Sequence, residues 1–211
     1  MTTVEIDDKV YKLPTSFGEL SLKQYCDAFR GLQTLMDDEL DETARLVRMK
    51  FNEAVILSRL MGADDELAMD LPMGTYNKLV QKIQFIYDYQ SMLDNAKAYI
   101  KHDGKVYSIP QAEKMSMRQY IDADMVMKED DGEQFINLLA VLLLERDGDS
   151  FKPYKGEYEE KRKWIGELKC SEALPLVFHF FRIWQASSKI TQASTAMEAL
   201  RSQQAHSTQG S

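Results

Sequence analysis

The stretch Leu20-Ser21-Leu22-Lys23-Gln24-Tyr25 returns 95 residues later as Met115-Ser116-Met117-Arg118-Gln119-Tyr120. Upstream of it, Lys9-Val10-Tyr11 returns as Lys105-Val106-Tyr107, and a third match downstream keeps the spacing to within two residues. Self-similarity at a nearly constant spacing is the signature of a repeated structural unit. The sequence therefore predicts two tandem copies of one unit.

Each predicted copy has about a hundred residues, a size at which a domain can bury a core of its own. We assign the first repeat to residues 1–97 and the second repeat to residues 98–185. Residues 186–211 are predicted to form a polar helical extension and a loose tail. The fold class that we expect is α+β and mostly α, with each unit made of a β-hairpin followed by about three helices.

Each copy opens with the pattern of a β-hairpin. In the second copy, Asp103-Gly104 separates two strand-like segments, and this dipeptide suits the positive φ angles of a type I′ turn. In the first copy, Asp7-Asp8 occupies the same place, although aspartate accepts a positive φ less readily than glycine. Pro14 and Pro110 are predicted to end the second strand, because proline has no N–H group to donate to a ladder.

A helix start follows the hairpin in both copies. Ser21 with Gln24, and Ser116 with Gln119, have the spacing of a capping box. In this motif the serine hydroxyl accepts from the N3 amide, and the glutamine side chain accepts from the serine amide. The flanking residues have the spacing of a hydrophobic staple; they are Leu20 and Tyr25 in the first copy, and Met115 and Tyr120 in the second.

Apolar periodicity predicts two further helices in the first copy. One runs from Glu42 to Met61 and ends at Gly62, with Leu46 and Met49 among its core-facing residues. The other is expected over residues 75–96, with apolar residues along much of one face. The first copy is therefore expected to be helical from residue 42 onward, apart from the connection between these two helices.

The second copy is predicted to differ between its first and last helices. A short apolar helix is expected over residues 135–144, followed by a loop over 146–153 and a charged helix over 157–168. Mixed charges on that last helix are typical of a solvated or partner-facing surface. Ser171 is predicted to cap the final helix, with Pro175 in its first turn, where proline costs least.

The composition excludes several classes of function. The 211 residues carry a net charge of -8, so direct nucleic-acid binding is not expected, since phosphate binding needs clustered Lys and Arg. No apolar run reaches the roughly twenty residues that span a bilayer, so we expect no membrane partner. The acidic N-terminus lacks the pattern of a secretory signal, and synthesis in the cytoplasm is expected. Cys26 and Cys170 are too few for a disulfide framework and are expected to be buried apolar residues.

Sequence signatures of enzymes are missing. The chain has no glycine-rich phosphate loop, no H-E-x-x-H and no G-x-S-x-G. His102, His179 and His206 are scattered along the chain, and His179, between two phenylalanines, is expected to be a partly buried structural residue. The segment from Asp147 begins like a calcium loop but fails at the later ligand positions. We therefore expect no catalytic residue, no metal site and no cofactor, and no enzymatic activity.

The C-terminal segment contains the candidate partner-binding residues. Between residues 186 and 211 the composition shifts to Ser, Gln, Ala and Thr, and Ile190, Met197 and Leu200 are its large apolar residues. They lie seven and three residues apart, which places them along one stripe of a helix. Such a stripe can dock on the protein's own body or on a neighbouring subunit, and the sequence leaves both alternatives open. We expect it to contact another subunit or another protein.

The chain resembles small proteins encoded in the structural modules of tailed bacteriophages. In the first copy the resemblance rests on Glu19–Tyr25 and Ile56–Gly62, and in the second on Glu159–Arg162 and Glu172–Leu176 before the Phe-rich segment. The resemblance implies a virion component near the head–tail junction or tail, or an assembly factor for it. The crAss-like phages of gut bacteria are one source that it implies.

The expected function is that of a non-enzymatic structural protein of a tailed phage virion, a ring or connector component of the neck or tail. Its expected partners are other phage structural proteins and further copies of the chain in a ring. Two alternatives stay open: a cytoplasmic tail-assembly chaperone that binds an apolar partner segment, and a host-directed adaptor protein. The expected location is the virion, after synthesis in the bacterial host cytoplasm.

Overall fold

A computed structural model describes residues 1–32, 41–88, 90, 97–129 and 132–182. Within these residues the chain is mostly helical and contains two small antiparallel sheets. The expected mixture of strands and helices, with helices in the majority, is confirmed. The candidate partner-binding residues Ile190, Met197 and Leu200 lie outside the described residues.

The first half of the chain begins with a two-stranded sheet, β1 (Thr2–Ile6) and β2 (Lys9–Leu13). Three helices follow, α1 (Leu22–Phe29), α2 (Glu42–Leu60) and α3 (Met73–Ile83). Helix α1 packs against α2, which in turn packs against α3. The hairpin and the helices therefore occur in the predicted order.

The second half begins with a hairpin and builds a four-stranded sheet in the order β3-β4-β5-β6. Its elements, in chain order, are β3 (Ile100–His102), β4 (Lys105–Ser108), α4 (Met117–Lys128), α5 (Gln134–Leu142), β5 (Leu144–Asp147), β6 (Ser150–Phe151), α6 (Glu159–Glu167) and α7 (170–182). Helix α5 packs against both α4 and α6.

The two hairpins pair their strands in the same register. Val4 lies opposite Tyr11 in the first hairpin, and Ile100 lies opposite Tyr107 in the second, 96 residues later. Both turns have two residues at positive φ, namely Asp7 (48°) and Asp8 (62°), then Asp103 (47°) and Gly104 (73°). This is the backbone of the predicted type I′ turn, whose twist matches that of the strands. The first turn adopts it although both of its residues are aspartates.

The first capping box forms as predicted and the second forms only in part. The Ser21 hydroxyl accepts from the Gln24 amide at 3.2 Å, and the Gln24 side chain accepts from the Ser21 amide at 3.0 Å. The Ser116 hydroxyl also accepts from the Gln119 amide at 3.2 Å. However, the Gln119 side chain is fully buried and bonds across to α5 instead. A core position therefore outweighs the local motif in the second copy.

The residues of the two predicted staples also differ in their surroundings. Leu20 and Tyr25 are buried, as a staple requires. Tyr120, by contrast, is 48% exposed, so the staple predicted around it is not found as a buried pair. Helix α4 begins at the same kind of N-cap as α1 but presents a different face to the core.

Replacing Ser21 with alanine is expected to lower the free energy of unfolding by about 0.5–2 kcal/mol, because the Gln24 amide loses its acceptor. The Ser116→Ala variant is expected to lose a similar amount, since its hydroxyl makes the same bond. Urea unfolding of the two variants beside the wild type measures both values. An Ser21→Ala protein as stable as the wild type would contradict the assignment of Ser21 as a contributing cap.

Helix α2 matches its predicted bounds but not its predicted face. It ends at Leu60, and Gly62 follows with a φ of +70°, the conformation in which glycine terminates helices. Leu46 and Met49, predicted to face the core, are instead 53% and 46% exposed. Among the described residues, other elements cover only the C-terminal half of α2, so the apolar residues of its first turns are exposed.

The helix predicted over residues 75–96 is shorter than expected. It begins at Met73, directly after Pro72, and ends at Ile83. A 3-10 turn, Gln84–Tyr87, then tightens the chain and places Ile86 in the core. Apolar spacing alone does not distinguish this tight turn from a continuing helix, because residues three apart share a face in both.

The loop predicted over residues 146–153 is a hairpin. Strand β5 pairs with β4, with Leu144 opposite Ser108, and turns through Gly148 at a φ of +59° into β6. The preceding helix consequently ends at Leu142 rather than at residue 144. The prediction was wrong because the strand-forming signal here is tertiary: β5 is held by the edge of a hairpin distant in sequence.

Helix α7 begins at residue 170, two residues earlier than a cap at Ser171 predicts, so Ser171 is not its N-cap. The amides of Glu172 and Ala173 both donate to the carbonyl of Lys169, at 2.9 and 3.0 Å. Lys169 is extended and forms an isolated antiparallel bridge with Ser21. Pairing with the first half of the chain therefore sets the start of α7, and Pro175 lies beyond its first turn.

The two halves share one continuous hydrophobic core. Beside α1, the Leu22 amide donates to the Leu168 carbonyl at 2.8 Å, and the Cys170 amide donates to the Leu20 carbonyl at 2.9 Å. We call this contact between α1 and residues 168–170 the junction. The domain boundaries at residues 97 and 185 stay predictions, but the described parts of the halves pack directly against each other.

Both cysteines lie at the junction, and both are buried, as expected. The Cys170 thiol donates to the Ser21 carbonyl at 3.3 Å. Burial, followed by the nearby negative charges of Asp27 and Glu133, raises the pKa of the Cys26 thiol to about 12. Burial also raises the pKa of the Cys170 thiol. Neither thiol is poised to act as a nucleophile at neutral pH.

Candidate functional site

The C-terminal end of α5 is the most unusual polar site in the described residues. The last four carbonyls of a helix have no helical partner, and here, at residues 140–143, they belong to fully buried residues. Gln119 Nε2, from α4, donates to the middle two carbonyls at 3.0 and 3.3 Å. Lys161 Nζ, from α6, donates to the outer two at 2.8 Å each. Two long side chains therefore satisfy all four carbonyls.

Lys161 is the residue of this site that could serve either as a nucleophile or as a helix cap. Burial lowers the pKa of its ammonium from 10.5 to about 8. A lysine with a depressed pKa is a candidate nucleophile. The positions of its hydrogen bonds favour another role, because the Nζ group donates to two carbonyls that the helix itself leaves unpaired. Lys161 therefore acts as a C-terminal cap of α5.

A cleft of about 300 Å³ lies beside Lys161 and is lined by residues of mixed charge. On one side Glu145 pairs with Lys152 at 2.6 Å and with Lys105 at 3.4 Å. The hydrogen bond from Lys152 keeps the pKa of Glu145 below its usual value. Glu145 is thus an ionised partner of two lysines, and their interactions outweigh the effect of burial, which acts to raise its pKa. The arrangement can hold a small charged group but does not pair an evident acid with a base.

The buried position of Lys161 predicts a pH dependence of stability. Between about pH 8 and 10.5 the unfolded chain keeps the Lys161 proton and the folded chain releases it. The unfolded state then binds more protons, so stability rises with pH across this window. The free energy of unfolding of the wild type minus that of Lys161→Met, measured with urea from pH 7.5 to 10.5, should show this rise. Taking the difference removes the effects of tyrosine and cysteine titration, which both proteins share. A difference that does not change with pH would contradict the lowered pKa of Lys161.

A network of charges joins three helices near the junction. Glu133, at the N-terminus of α5, accepts from Lys23 of α1 at 3.2 Å and from Arg162 of α6 at 3.0 Å. Arg30 lies 3.8 Å from the same carboxylate. Burial acts to raise the pKa of Glu133, but the hydrogen bonds from Lys23 and Arg162 outweigh it and hold the pKa below its usual value. The network fixes the orientation of the halves rather than presenting a reactive group.

Helix α4 carries an exposed apolar surface. Its four residues are exposed by between 48% and 74% and share one side of the helix; they are Met117, Tyr120, Ile121 and Met125. We call this the α4 surface. Contiguous exposed apolar residues mark interaction sites more often than scattered ones do. The α4 surface was not predicted from the sequence, because apolar spacing on a helix does not show whether a core or a partner covers the face.

A second exposed apolar surface lies on the N-terminal half of α2. Its four residues are exposed by between 39% and 64%; they are Leu46, Val47, Met49 and Phe51. We call this the α2 surface. The basic residues Arg45, Arg48 and Lys50 lie among them. The described part of the chain thus presents two separate surfaces suited to protein partners.

The residues selected from the sequence lie elsewhere. Ile190, Met197 and Leu200 fall outside the described residues, so their proposed role stays a prediction. His179 is exposed rather than partly buried, which corrects the expectation for that residue. His102 stacks on Trp164, with ring centroids 4.2 Å apart and planes 10° from parallel. This contact is typical of a structural histidine.

Among residues 1–32, 41–88, 90, 97–129 and 132–182, no helix is both long and apolar enough to span a bilayer. In the same part of the chain, no three His, Cys, Asp or Glu side chains are grouped as metal ligands would be. Comparisons with protein-family models, with curated proteins and with solved structures find no match to this chain.

Proposed function

We propose that this chain is a non-enzymatic structural protein of a tailed bacteriophage virion, a component of a ring or connector in the neck or tail. It would be made in the bacterial host cytoplasm and would bind other phage structural proteins and copies of itself. The resemblance of its sequence to structural-module proteins of tailed phages motivates the proposal. An activity that consists of binding also suits a chain whose sequence carries no catalytic signature.

The observation that carries the proposal is the pair of exposed apolar surfaces on α2 and α4. A subunit of a cyclic ring contacts two neighbours through two different faces. The α4 surface and the α2 surface belong to different halves and consist of different residues. A protein with one ligand or one partner needs a single such face.

We also propose that the two halves arose as two homologous units. The hairpins share their register at a spacing of 96 residues, with Val4–Tyr11 corresponding to Ile100–Tyr107. The 3-10 turns that begin at Phe17 and Ala112 follow at a spacing of 95. Helices α3 and α7 begin 97 residues apart. These agreements support duplication, and the different faces buried by α1 and α4 would then reflect divergence of the two units.

Protein analysis of purified phage particles tests the structural role. The expected result is that the chain is present in particles at a fixed ratio to the other tail or neck proteins. Its presence only in the lysate of infected cells would favour the tail-assembly chaperone. A stable complex with a bacterial protein, together with absence from particles, would favour the host-directed adaptor.

Deleting residues 186–211 is expected to abolish assembly or partner binding while leaving the described fold intact. Ile190, Met197 and Leu200 are too few to hold a long helix to its own body, because isolated short helices are marginal in water. The measurement compares the thermal unfolding transition and the assembly state of the truncated and full-length chains. Loss of folding after the deletion would show that the segment is part of the intramolecular structure.

A further inference from the structure

Helix α1 is covered on two sides. On one side it packs against α2, and Ala28 of α1 is fully buried. On the other side Leu22, Tyr25 and Cys26 are buried by the second half of the chain. The Tyr25 ring stacks on Phe135 of α5, with centroids 6.4 Å apart. The first unit therefore uses this second side of α1 to bind the unit that follows it.

The described part of the chain covers helix α4 on one side only. Ala123, 95 residues after Ala28, is fully buried like its counterpart, in a helix that packs against α5. The counterparts of Leu22 and Cys26 are Met117 and Ile121, which are 74% and 49% exposed. The side of α1 that binds the next unit thus reappears on α4 as an exposed apolar face. The described residues leave this face uncovered.

We propose that the α4 surface binds the α2 surface of a second copy of this chain. The inference rests on the proposed duplication and gives the proposed ring its contact. The first half of a second copy is again a unit of the repeat, so it can cover α4 as the second half of the chain covers α1. Its α2 surface is apolar and exposed, whereas its α5 and α6 are already covered by its own α1.

The charges that border the two surfaces are complementary. Acidic residues outnumber basic ones by one along α4 with its C-cap residue, where Lys128 pairs with Asp124 at 2.6 Å. Basic residues outnumber acidic ones by one along residues 42–53 of α2, where Lys50 pairs with Glu53 at 2.7 Å. Opposite charges at the rim of an interface speed association and fix its register.

A contact between two different surfaces is heterologous. Each copy keeps one α4 surface and one α2 surface, so every added copy offers a site for the next. The assembly closes into a ring if the rotation between copies divides a full turn, and otherwise it extends into a filament. The contact therefore predicts more than a dimer, which separates it from an isologous pairing.

The experiment measures the mass of the purified full-length chain by light scattering over a range of concentrations. The expected result for the wild type is a species of several times 24.3 kDa. Ile121→Asp and Val47→Asp each place a charge in one of the surfaces and are expected to give monomers. Met73→Asp is the matched control, because Met73 is 71% exposed, lies on neither surface and begins a helix, where an acidic residue is tolerated. It is expected to assemble like the wild type.

Mixing the two variants gives the decisive result. Ile121→Asp retains an intact α2 surface and Val47→Asp retains an intact α4 surface, so an equal mixture should form a dimer and nothing larger. Circular dichroism and thermal unfolding check that both variants fold. A mixture that stays monomeric overturns the proposal, as does a Val47→Asp chain that assembles like the wild type.

A monomeric wild type also overturns the proposal. If that monomer assembles once Leu200 is replaced by aspartate in the full-length chain, the C-terminal segment is the occupant of the α4 surface. These results are independent of the particle analysis. Presence in particles without self-assembly in solution would overturn this contact alone, whereas self-assembly with absence from particles would overturn the proposed function.

Discussion

Replacing Leu22 with alanine is expected to lower the free energy of unfolding by about 2–5 kcal/mol, the range for a leucine removed from a packed core. Leu22 is fully buried, and its amide bonds to the Leu168 carbonyl at the junction. Because one core connects the halves, the loss should shift a single unfolding transition. Urea unfolding followed by circular dichroism and by tryptophan fluorescence measures it.

Met73→Ala is the control for this variant. Met73 is 71% exposed and lies on neither the α2 surface nor the α4 surface, so shortening its side chain should alter stability by no more than about 0.5 kcal/mol. Two separate transitions, of which Leu22→Ala shifts only one, would show that the halves unfold independently. That result would contradict the continuous core as a cooperative unit.

Replacing Lys161 with methionine is expected to lower the free energy of unfolding at pH 7 by about 2–4 kcal/mol, since two buried carbonyls lose their donor. Methionine keeps much of the length and apolar volume of the side chain, so the variant isolates the loss of the ammonium. Chemical unfolding at pH 7 measures the change. Lys163→Met, on the exposed side of the same helix, is the control and should remain near the wild type.

An unchanged stability of Lys161→Met would contradict the role of Lys161 as a cap of α5. It would mean that relief from burying a charge fully offsets the two unpaired carbonyls. Gln119→Leu provides a second measurement at the same helix end, because Gln119 serves the other two carbonyls. Comparable losses in the two variants would show that the buried end of α5 depends on both neighbours.

Local signals in the sequence predicted the parts of the fold that depend on neighbouring residues. The turns at Asp7-Asp8 and Asp103-Gly104, the caps at Ser21 and Ser116, and the end of α2 before Gly62 all follow from backbone chemistry within a few residues. The repeat was visible for the same reason, since it is a repetition of these signals. Such features need no knowledge of what packs against them.

The features that sequence reasoning missed depend on distant contacts. Strand β5 exists because β4 offers it an edge, and α7 begins directly after Lys169 because that residue pairs with Ser21. Gln119 has the spacing of a capping box, yet its side chain is drawn to the unpaired carbonyls of α5. In each case the deciding partner is 20 or more residues away in sequence, where periodicity and motif spacing carry no information.

The same difference between local signals and distant contacts applies to the candidate interaction surfaces. The apolar residues of α4 and α2 were visible in the sequence, but Leu46 and Met49 were assigned to the core. Helix amphipathicity shows that a face is apolar and does not show what covers it. The packing of α1 against α5 and α6 distinguishes the covered face of α1 from the exposed face of α4.

The two cysteines give the chain an internal reporter of the junction. Cys26 lies on the covered side of α1 and Cys170 at the start of α7, and their thiols are closed to solvent while the halves are in contact. An alkylating reagent reaches them only when this contact opens, because the thiolate is the reactive form and burial suppresses it. The rate of alkylation, compared with that of the unfolded chain, therefore measures how often the halves separate.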